Sequence, residues 1–271
     1  MIKSPADWCK QEDGTFFMPG KGDGKQLYYY KEYRLDIDGK EYTFVITDCG
    51  EWARKLRAAG VPVAVYLHPG NKDQDLSDFL YAVEDPEDID TDYMKKACRR
   101  LLGLPWDILE TARCLIRETT VEDVDGFYEI YRHPAITEFM EDLYPEKEQE
   151  REYIRQYIEQ VYTFWEFGVW TVVEKDSGAV IGRAGFSYRE GFEEPELGFI
   201  IGVPWQRRGY AEEVCRAILD YGRDVLGFGT VQAFARPENI ASMNLCDKLG
   251  FHAAGTEMIE GKEHYRYRKD L

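Results

Sequence analysis

The sequence lacks several features that would assign it a class at once. No stretch approaches the roughly 18 consecutive apolar residues needed to cross a bilayer, so no membrane association is expected. The opening residues, Met1 to Asp7, have no apolar core and no cleavage site, so they do not form a signal peptide, and a cytoplasmic location is expected. Histidine is scarce: four residues stand singly at 68, 133, 252 and 264. Six cysteines, at 9, 49, 98, 114, 215 and 246, include no Cys-x-x-Cys pair and no zinc-site spacing. No metal is therefore expected, and the thiols read as reduced and mostly buried. Basic residues are in deficit, with 34 Lys and Arg against 51 Asp and Glu and a net charge of −17. That balance argues against nucleic-acid binding, which rests on neutralising phosphates. The excess is spread over both halves of the chain. Its simplest use is solubility, and its sharper use is attraction of a cationic substrate. Internal repeats and low-complexity tracts are also missing.

What is present is core material. Of 271 residues, 44% are hydrophobic and 14% aromatic, enough for two globular domains. Residues 1–25 read as irregular. The run Gly20 to Lys25 has phosphate-loop lettering, but Pro19 and Gln26 break the spacing, which leaves a mobile turn. From Leu27 the pattern is strand-like to Ile37, turns at Asp38-Gly39, and continues over Tyr42–Thr47. A helix over Glu51–Ala59 follows, then short strands at Pro62–Leu67 and Leu80–Val83, and a helix over Asp92–Leu102. Residues 1–110 thus form a small α/β domain with a parallel sheet. The segment Leu104–Thr111 reads as the junction to a second domain, 111–271. There a strand at Leu115–Arg117 precedes two helices, one facing inward through Val124, Phe127 and Tyr131, the other running through Ile154 to Trp165. Strands at Val169–Glu174, Ala179–Tyr188 and Glu196–Val203 come next, then a helix through Val214 and Ile218, a strand at Thr230–Ala235, a helix at Ile240–Leu249 and a hairpin turning at Gly261.

The most informative stretch is Ile200 to Glu213. An apolar strand ends at Pro204, and a short turn, Gln206-Arg207-Arg208-Gly209, leads into an amphipathic helix beginning Tyr210-Ala211. Such a turn sets unpaired backbone N–H groups at a helix N-terminus, where the dipole favours an anion. Gly209 has no Cβ to hinder close approach, and the two arginines add charge. The pattern suits a pyrophosphate, although a plain structural connection with solvated arginines has the same lettering.

Gln206-Arg207-Arg208-Gly209-Tyr210-Ala211 resembles the Q/R-x-x-G-x-G/A acyl-CoA signature of the GNAT acetyltransferases. Downstream, Asn239-Ile240-Ala241-Ser242 leading to Lys248-Leu249-Gly250-Phe251 resembles the family's second motif. The motifs stand in the family's order, and the resemblance covers about 112–271. The opening Leu115-Ile116-Arg117-Glu118 is similar to the branch that includes the ribosomal-protein N-terminal acetyltransferases.

The resemblance implies a mixed, mostly antiparallel sheet and direct transfer of acetyl from acetyl-CoA to a primary amine. It implies that the amides of Arg207, Arg208, Gly209, Tyr210 and Ala211 bind the CoA pyrophosphate next to Gln206. The backbone of Ile201 and Val203 should hold the pantetheine arm, and Asn239, Ser242 and Asn244 should line the cofactor. Glu196, in a Glu-Leu-Gly context, is the candidate base, directly or through a water; its alternative is to be one more acid in an acidic loop. Cys246 departs from the pattern, because many members carry there a tyrosine that protonates the leaving thiolate. Ser242 is the nominated substitute, with Tyr265 and Tyr267 as other candidates, and Cys246 itself reads as a small core residue. The acidic loop Glu190–Glu196 mildly favours a cationic acceptor, and a homo-oligomer stays open.

Residues 26–104 resemble part of a HAD-like core through Thr47-Asp48 and Ala58-Ala59-Gly60-Val61-Pro62, but the family's catalytic Asp-x-Asp is missing, so a non-catalytic domain is expected. The acidic run from Asp73 to Glu84 has calcium-loop lettering without the glycine at its sixth place, and reads as a solvated loop. The alternative for the whole chain is a non-catalytic acyl-CoA sensor that uses its first domain for interaction.

Overall fold

The computed structural model describes residues 28–271 together with two short strands, β1 (Cys9–Lys10) and β2 (Phe16–Phe17), which pair with each other. The glycine run at 20–25 lies outside the described residues. The chain divides into two compact units, Met1–Trp106 and Asp107–Leu271. No described helix is long and apolar enough to cross a membrane.

The first unit is built on a sheet of β3 (Tyr30–Ile37), β4 (Lys40–Thr47), β5 (Val63–Tyr66) and β6 (Ala82–Val83), in that order. β3 and β4 form the expected hairpin. Asp38 and Gly39 both take left-handed backbone angles, φ 54° and 76°, as a tight two-residue turn requires. β4, β5 and β6 run parallel, so the sheet is mixed. Helix α1 (Gly50–Ala58) buries Ala53 and Leu56 against Val45, Val63 and Val65. Helix α2 (Thr91–Leu101), capped by Asp90, buries Met94, Ala97 and Cys98 against Phe44, Ile46 and Ala64. Consecutive residues Val45 and Ile46 point to opposite faces, so the helices cover both sides of the sheet. The acidic run does not gather around one point: Asp78 is held by Arg54 and Arg57 at 2.8 and 2.7 Å.

The second unit holds an eight-stranded sheet. Its strands are β7 (Asp107–Glu110), β8 (Cys114–Arg117), β9 (Val169–Glu174), β10 (Val180–Tyr188), β11 (Pro195–Ile201), β12 (Thr230–Ala235), β13 (His252–Ile259) and β14 (Lys262–Asp270). The order across the sheet is β13-β14-β12-β11-β10-β9-β8-β7, and every pairing is antiparallel except β11 with β12. The junction segment is therefore partly a strand: Asp107–Glu110 pairs with β8, which moves the boundary to 106/107.

Helix α3 (Val124–Tyr131), the short α4 (Pro134–Thr137) and α5 (Lys147–Tyr157) pack with Ile200 on one face. The expected continuous helix to Trp165 is broken by a π-helical turn at Ile158–Tyr162 before the short α6 (Thr163–Trp165). Tyr162 is fully buried there, donating to the Val169 carbonyl at 2.7 Å and accepting from the Thr119 N–H at 3.1 Å. Helices α7 (Tyr210–Asp224) and α8 (Ile240–Leu249) pack with Ile201 on the opposite face. Adjacent residues of one strand thus serve two cores.

A bidentate ion pair fixes the start of α3 against the sheet. Arg117 donates to both oxygens of the buried Asp123 at 2.7 and 2.6 Å, and the same carboxylate accepts from the Thr120 N–H and the Thr171 hydroxyl at 2.9 Å each. Arg117→Met strands a buried carboxylate and should cost about 3–5 kcal/mol. The measurement is the urea midpoint at constant m value. Adding Asp123→Asn should recover part of the loss, and an unmoved midpoint in the single variant would show that the pair does not support the fold.

Candidate active site

β11 and β12 pair at a single position, Glu196 with Gln232. Beyond it the two strands part, and a cleft of about 830 Å³ opens between them. The closed end is held by polar contacts. Gln232 is fully buried; its Nε2 donates to the Glu194 carbonyl at 2.7 Å, and its Oε1 accepts from Arg266 at 2.9 Å. Glu194 in turn binds both Arg266 and Arg268. The cleft wall beyond is apolar, with Phe199 and Ile201 from β11, Phe234 from β12, and Ile136, Phe139 and Met140 from α4 and the segment after it.

The floor at one end is the turn into α7. After Ile201 the chain makes a 3₁₀ turn, Val203–Trp205, and then a loop in which Arg207 and Gly209 both take left-handed angles, φ 60° and 84°. Among the described residues no protein acceptor pairs with the N–H groups of Arg207 through Glu212; the first amide of the region to do so is Glu213, which donates to the Gly209 carbonyl at 3.0 Å. This is a concave set of amides at the N-terminus of a fifteen-residue helix, a natural anion site. Tyr210 anchors the helix start by donating its hydroxyl to Glu174, and Gln206 ties the loop back through its Nε2 to the Ile201 carbonyl at 2.8 Å.

The expected cofactor residues Ile201, Gln206, Arg207, Gly209, Tyr210, Ala211, Asn239, Ser242 and Asn244 all line this one cleft. Arg208 and Val203 do not. Val203 was expected on the strand, but β11 ends at Ile201 because Pro204 enforces the turn, and the Val203 carbonyl accepts from Gln206 N–H at 3.2 Å. Asn239 has a structural duty as well: it caps α8, accepting from the Ser242 N–H at 3.0 Å.

Glu196 also lines the cleft, with its side chain largely buried and engaged. Arg189 donates to both of its oxygens, at 2.6 and 3.3 Å, and this contact pushes the guanidinium further above its ordinary value. Sequence reasoning missed Arg189, which lies outside both motifs. It also missed Arg236, which donates to the Glu138 carbonyl at 2.6 Å across the cleft mouth, and His264, which lines that mouth. Cys246 is buried in the α7–α8 core, with its thiol pushed up to about 12 by desolvation. Tyr267 is buried and raised too, and neither it nor Tyr265 lines the cleft. Among the described residues, no three His, Cys, Asp or Glu side chains gather as a metal site.

Comparison with known proteins now bears on this geometry. Residues 113–252 match the family model described as acetyltransferase (GNAT) domain. An uncharacterised N-acetyltransferase of Bacillus subtilis, YoaA, is 28% identical over 157 residues, covering 55% of this chain and 84% of that protein. A GNAT-family acetyltransferase from Bacillus anthracis superposes with a TM-score of 0.52 at 20% identity, over 60% of this chain and 97% of that one. The ribosomal-protein-S5-alanine acetyltransferase of Vibrio fischeri gives 0.52 at 18%, over 60% and 95%. At these identities the two structures show the fold.

Burial of Cys246 makes a checkable statement. With its thiol near 12, only about one ten-thousandth is thiolate at pH 8. Iodoacetamide should leave Cys246 unlabelled in the native protein and label it in urea, as read by peptide mass spectrometry. Rapid native labelling would put it back among candidate nucleophiles.

Proposed function

We propose a function from one premise: the chain belongs to the GNAT acetyltransferase family. It is an acetyltransferase, of a family that uses acetyl-CoA. The reaction we propose is direct transfer of the acetyl group to a primary amine. The observation that carries this reading is the parting of β11 from β12 after one pairing, above a cradle of amides without protein acceptors. An extended arm fits the parted strands, and a diphosphate fits the cradle.

Acetyl-CoA supplies the acetyl group as an activated thioester. The amides of Arg207 to Ala211, with Gln206 behind them, hold the pyrophosphate. The β11 backbone edge near Ile201 that has no β12 partner holds the arm, beside the Ile201 carbonyl that Gln206 already binds, and Asn239, Ser242 and Asn244 close the α8 side. The acceptor must give up a proton before its nitrogen lone pair attacks the carbonyl carbon; the C–N bond forms, the C–S bond breaks, and the sulfur leaves with the electron pair. Glu196 accepts the amine's proton through a water. Arg189 binds the two oxygens without consuming every lone pair, and so holds the carboxylate in place. Ser242, on the first turn of α8, offers a hydroxyl to the departing sulfur; the buried Cys246 does not.

The acceptor we propose is an amine entering between the α4 segment and the β13–β14 turn. The acidic loop supports a cationic acceptor less strongly in the fold than in the sequence. Glu194 is neutralised by Arg266 and Arg268, and Glu196 by Arg189. Glu190 and Glu193 remain to attract charge. A cationic acceptor would show a KM that rises with salt.

For the first unit we propose a HAD-like, non-catalytic α/β module. Asp48, the acid that follows β4, is 4% exposed, bound by His68 at 2.9 Å and by the Tyr29 N–H at 2.8 Å. A carboxylate so enclosed is not placed to attack a phosphate.

Two measurements test the main reading. Calorimetric titration with acetyl-CoA should show micromolar binding, weakened by more than about tenfold, or 1.4 kcal/mol, in Gly209→Asp, which strains the left-handed backbone at φ 84° and sets a carboxylate beside Arg113 under the cradle. No binding to the intact protein would overturn the proposal. Glu196→Gln should lower the transfer rate at neutral pH about 100-fold, within the range for loss of a general base, while leaving acetyl-CoA affinity nearly unchanged. An undiminished rate would remove Glu196 from the chemistry.

A further inference from the structure

Arg113 lies in the turn between β7 and β8, far in sequence from the acyl-CoA signature. In the fold its guanidinium reaches under the loop that precedes α7. Nη1 donates to the Arg208 carbonyl at 3.0 Å, and Nε donates to Glu213 at 2.7 Å. The Arg113 backbone N–H binds the other oxygen of Glu213 at 2.9 Å, and its guanidinium carbon stands 4.0 Å from the centre of the Tyr210 ring. On the sheet side, the Arg113 carbonyl accepts from the Lys175 N–H at 2.9 Å. One residue thus joins the β8–β9 edge through its backbone, and the first turn of α7 and the loop through its side chain.

The contact with Arg208 has a directional consequence. A peptide unit is planar and trans, so the carbonyl of Arg208 and the N–H of Gly209 point in opposite directions. Drawing that carbonyl down to Arg113 aims the Gly209 N–H the other way. Gly209 lines the cleft and Arg208 does not, which matches that orientation. Gly209, at φ 84° and without a Cβ, leaves the Arg208–Gly209 peptide free to turn over unless something holds it. Turned over, it would present a carbonyl oxygen to a phosphate instead of an N–H.

We propose that Arg113 is a positioning residue for the diphosphate of the cofactor: it locks the Arg208–Gly209 peptide with its N–H facing the cleft. Its charge is balanced by Glu213, so its contribution is the orientation of a dipole more than an added cation. This inference rests on the acetyl-CoA reading above. A planar guanidinium is suited to the task because it donates to Arg208 and Glu213 in fixed directions while stacking on Tyr210. An ammonium at the same place cannot do all three.

The test compares two donors by ligand-observed NMR, supported by calorimetry for the tighter one. Acetyl-CoA carries the diphosphate, and S-acetylpantetheine lacks it. Arg113→Met should raise the Kd for acetyl-CoA at least tenfold and leave that for S-acetylpantetheine within about twofold. Arg113→Lys should restore less than half of the lost affinity on a logarithmic scale. An acetyl-CoA Kd that stays put in Arg113→Met would overturn the inference. So would an equal loss for both donors, which is the mark of general damage to the cleft. If the unaltered protein binds no acetyl-CoA, the functional reading itself falls and this one with it, an outcome distinct from the other two.

Discussion

Gln232 has no exposure to solvent, and it sits at the one place where β12 still pairs with β11. A buried amide must satisfy its hydrogen bonds or destabilise the fold. This one satisfies them by bridging the Glu194 carbonyl on one side and Arg266 of β14 on the other. The pairing is therefore pinned at Glu196 and cannot slide towards Ile201. From that pin the strands diverge, and most of the second unit follows. The cleft needs walls, which α4 and α8 supply. It also needs a floor, which the loop before α7 supplies. Antiparallel pairing everywhere else keeps the remaining strands rigid about the gap.

The floor is built under strain. Arg207 is a non-glycine residue at φ 60°, a conformation that costs on the order of 1 kcal/mol. Such a cost persists only where surrounding contacts enforce it. Here they come from both sides: Gln206 is tied to the Ile201 carbonyl, and Tyr210 to Glu174. The result is a run of amides without protein partners at the positive end of a long helix. Left to water, those groups are merely solvated. A diphosphate bound as we propose would meet them already ordered, because that cost has been met in folding.

Local patterns were legible in the sequence, and long-range pairings were not. The β3–β4 hairpin follows from Asp38-Gly39, and α3, α7 and α8 from the spacing of their buried residues. The loop before α7 and the start of α8 follow from motifs in which residues a few places apart act together. What the sequence hid was contact between distant segments. Asp107–Glu110 has no alternation of its own and becomes a strand only because β8 offers it an edge. Val203 continues an apolar run and reads as strand, yet Pro204 ends the pairing two residues earlier. The helix through Trp165 keeps its apolar spacing across the π turn, because a single extra residue hardly disturbs that spacing. Arg236 and His264 reach the cleft mouth from strand ends that carry no motif, so nothing local marks them.

Charge shows the same limit most clearly. Counted along the chain, Glu190, Glu193, Glu194 and Glu196 make one acidic loop, and a cationic ligand is the obvious inference. In the fold the four residues divide. Glu194 points to the β12–β14 edge, where two arginines absorb its charge, and its work is to hold the closed end of the cleft. Glu196 faces into the cleft but meets Arg189 first. A guanidinium that already binds a carboxylate at both oxygens has the shape of a competitor for any ammonium seeking the same group. On the proposed reading, an acceptor amine would approach Glu196 beside Arg189, not in place of an empty counter-ion position. That favours an amine placed by contacts elsewhere in the cleft, on the apolar wall of Phe139, Phe199 and Phe234, over one drawn in by charge alone. On that reading the selectivity we propose rests on the shape of that wall, while the ion pair fixes only where the nitrogen ends.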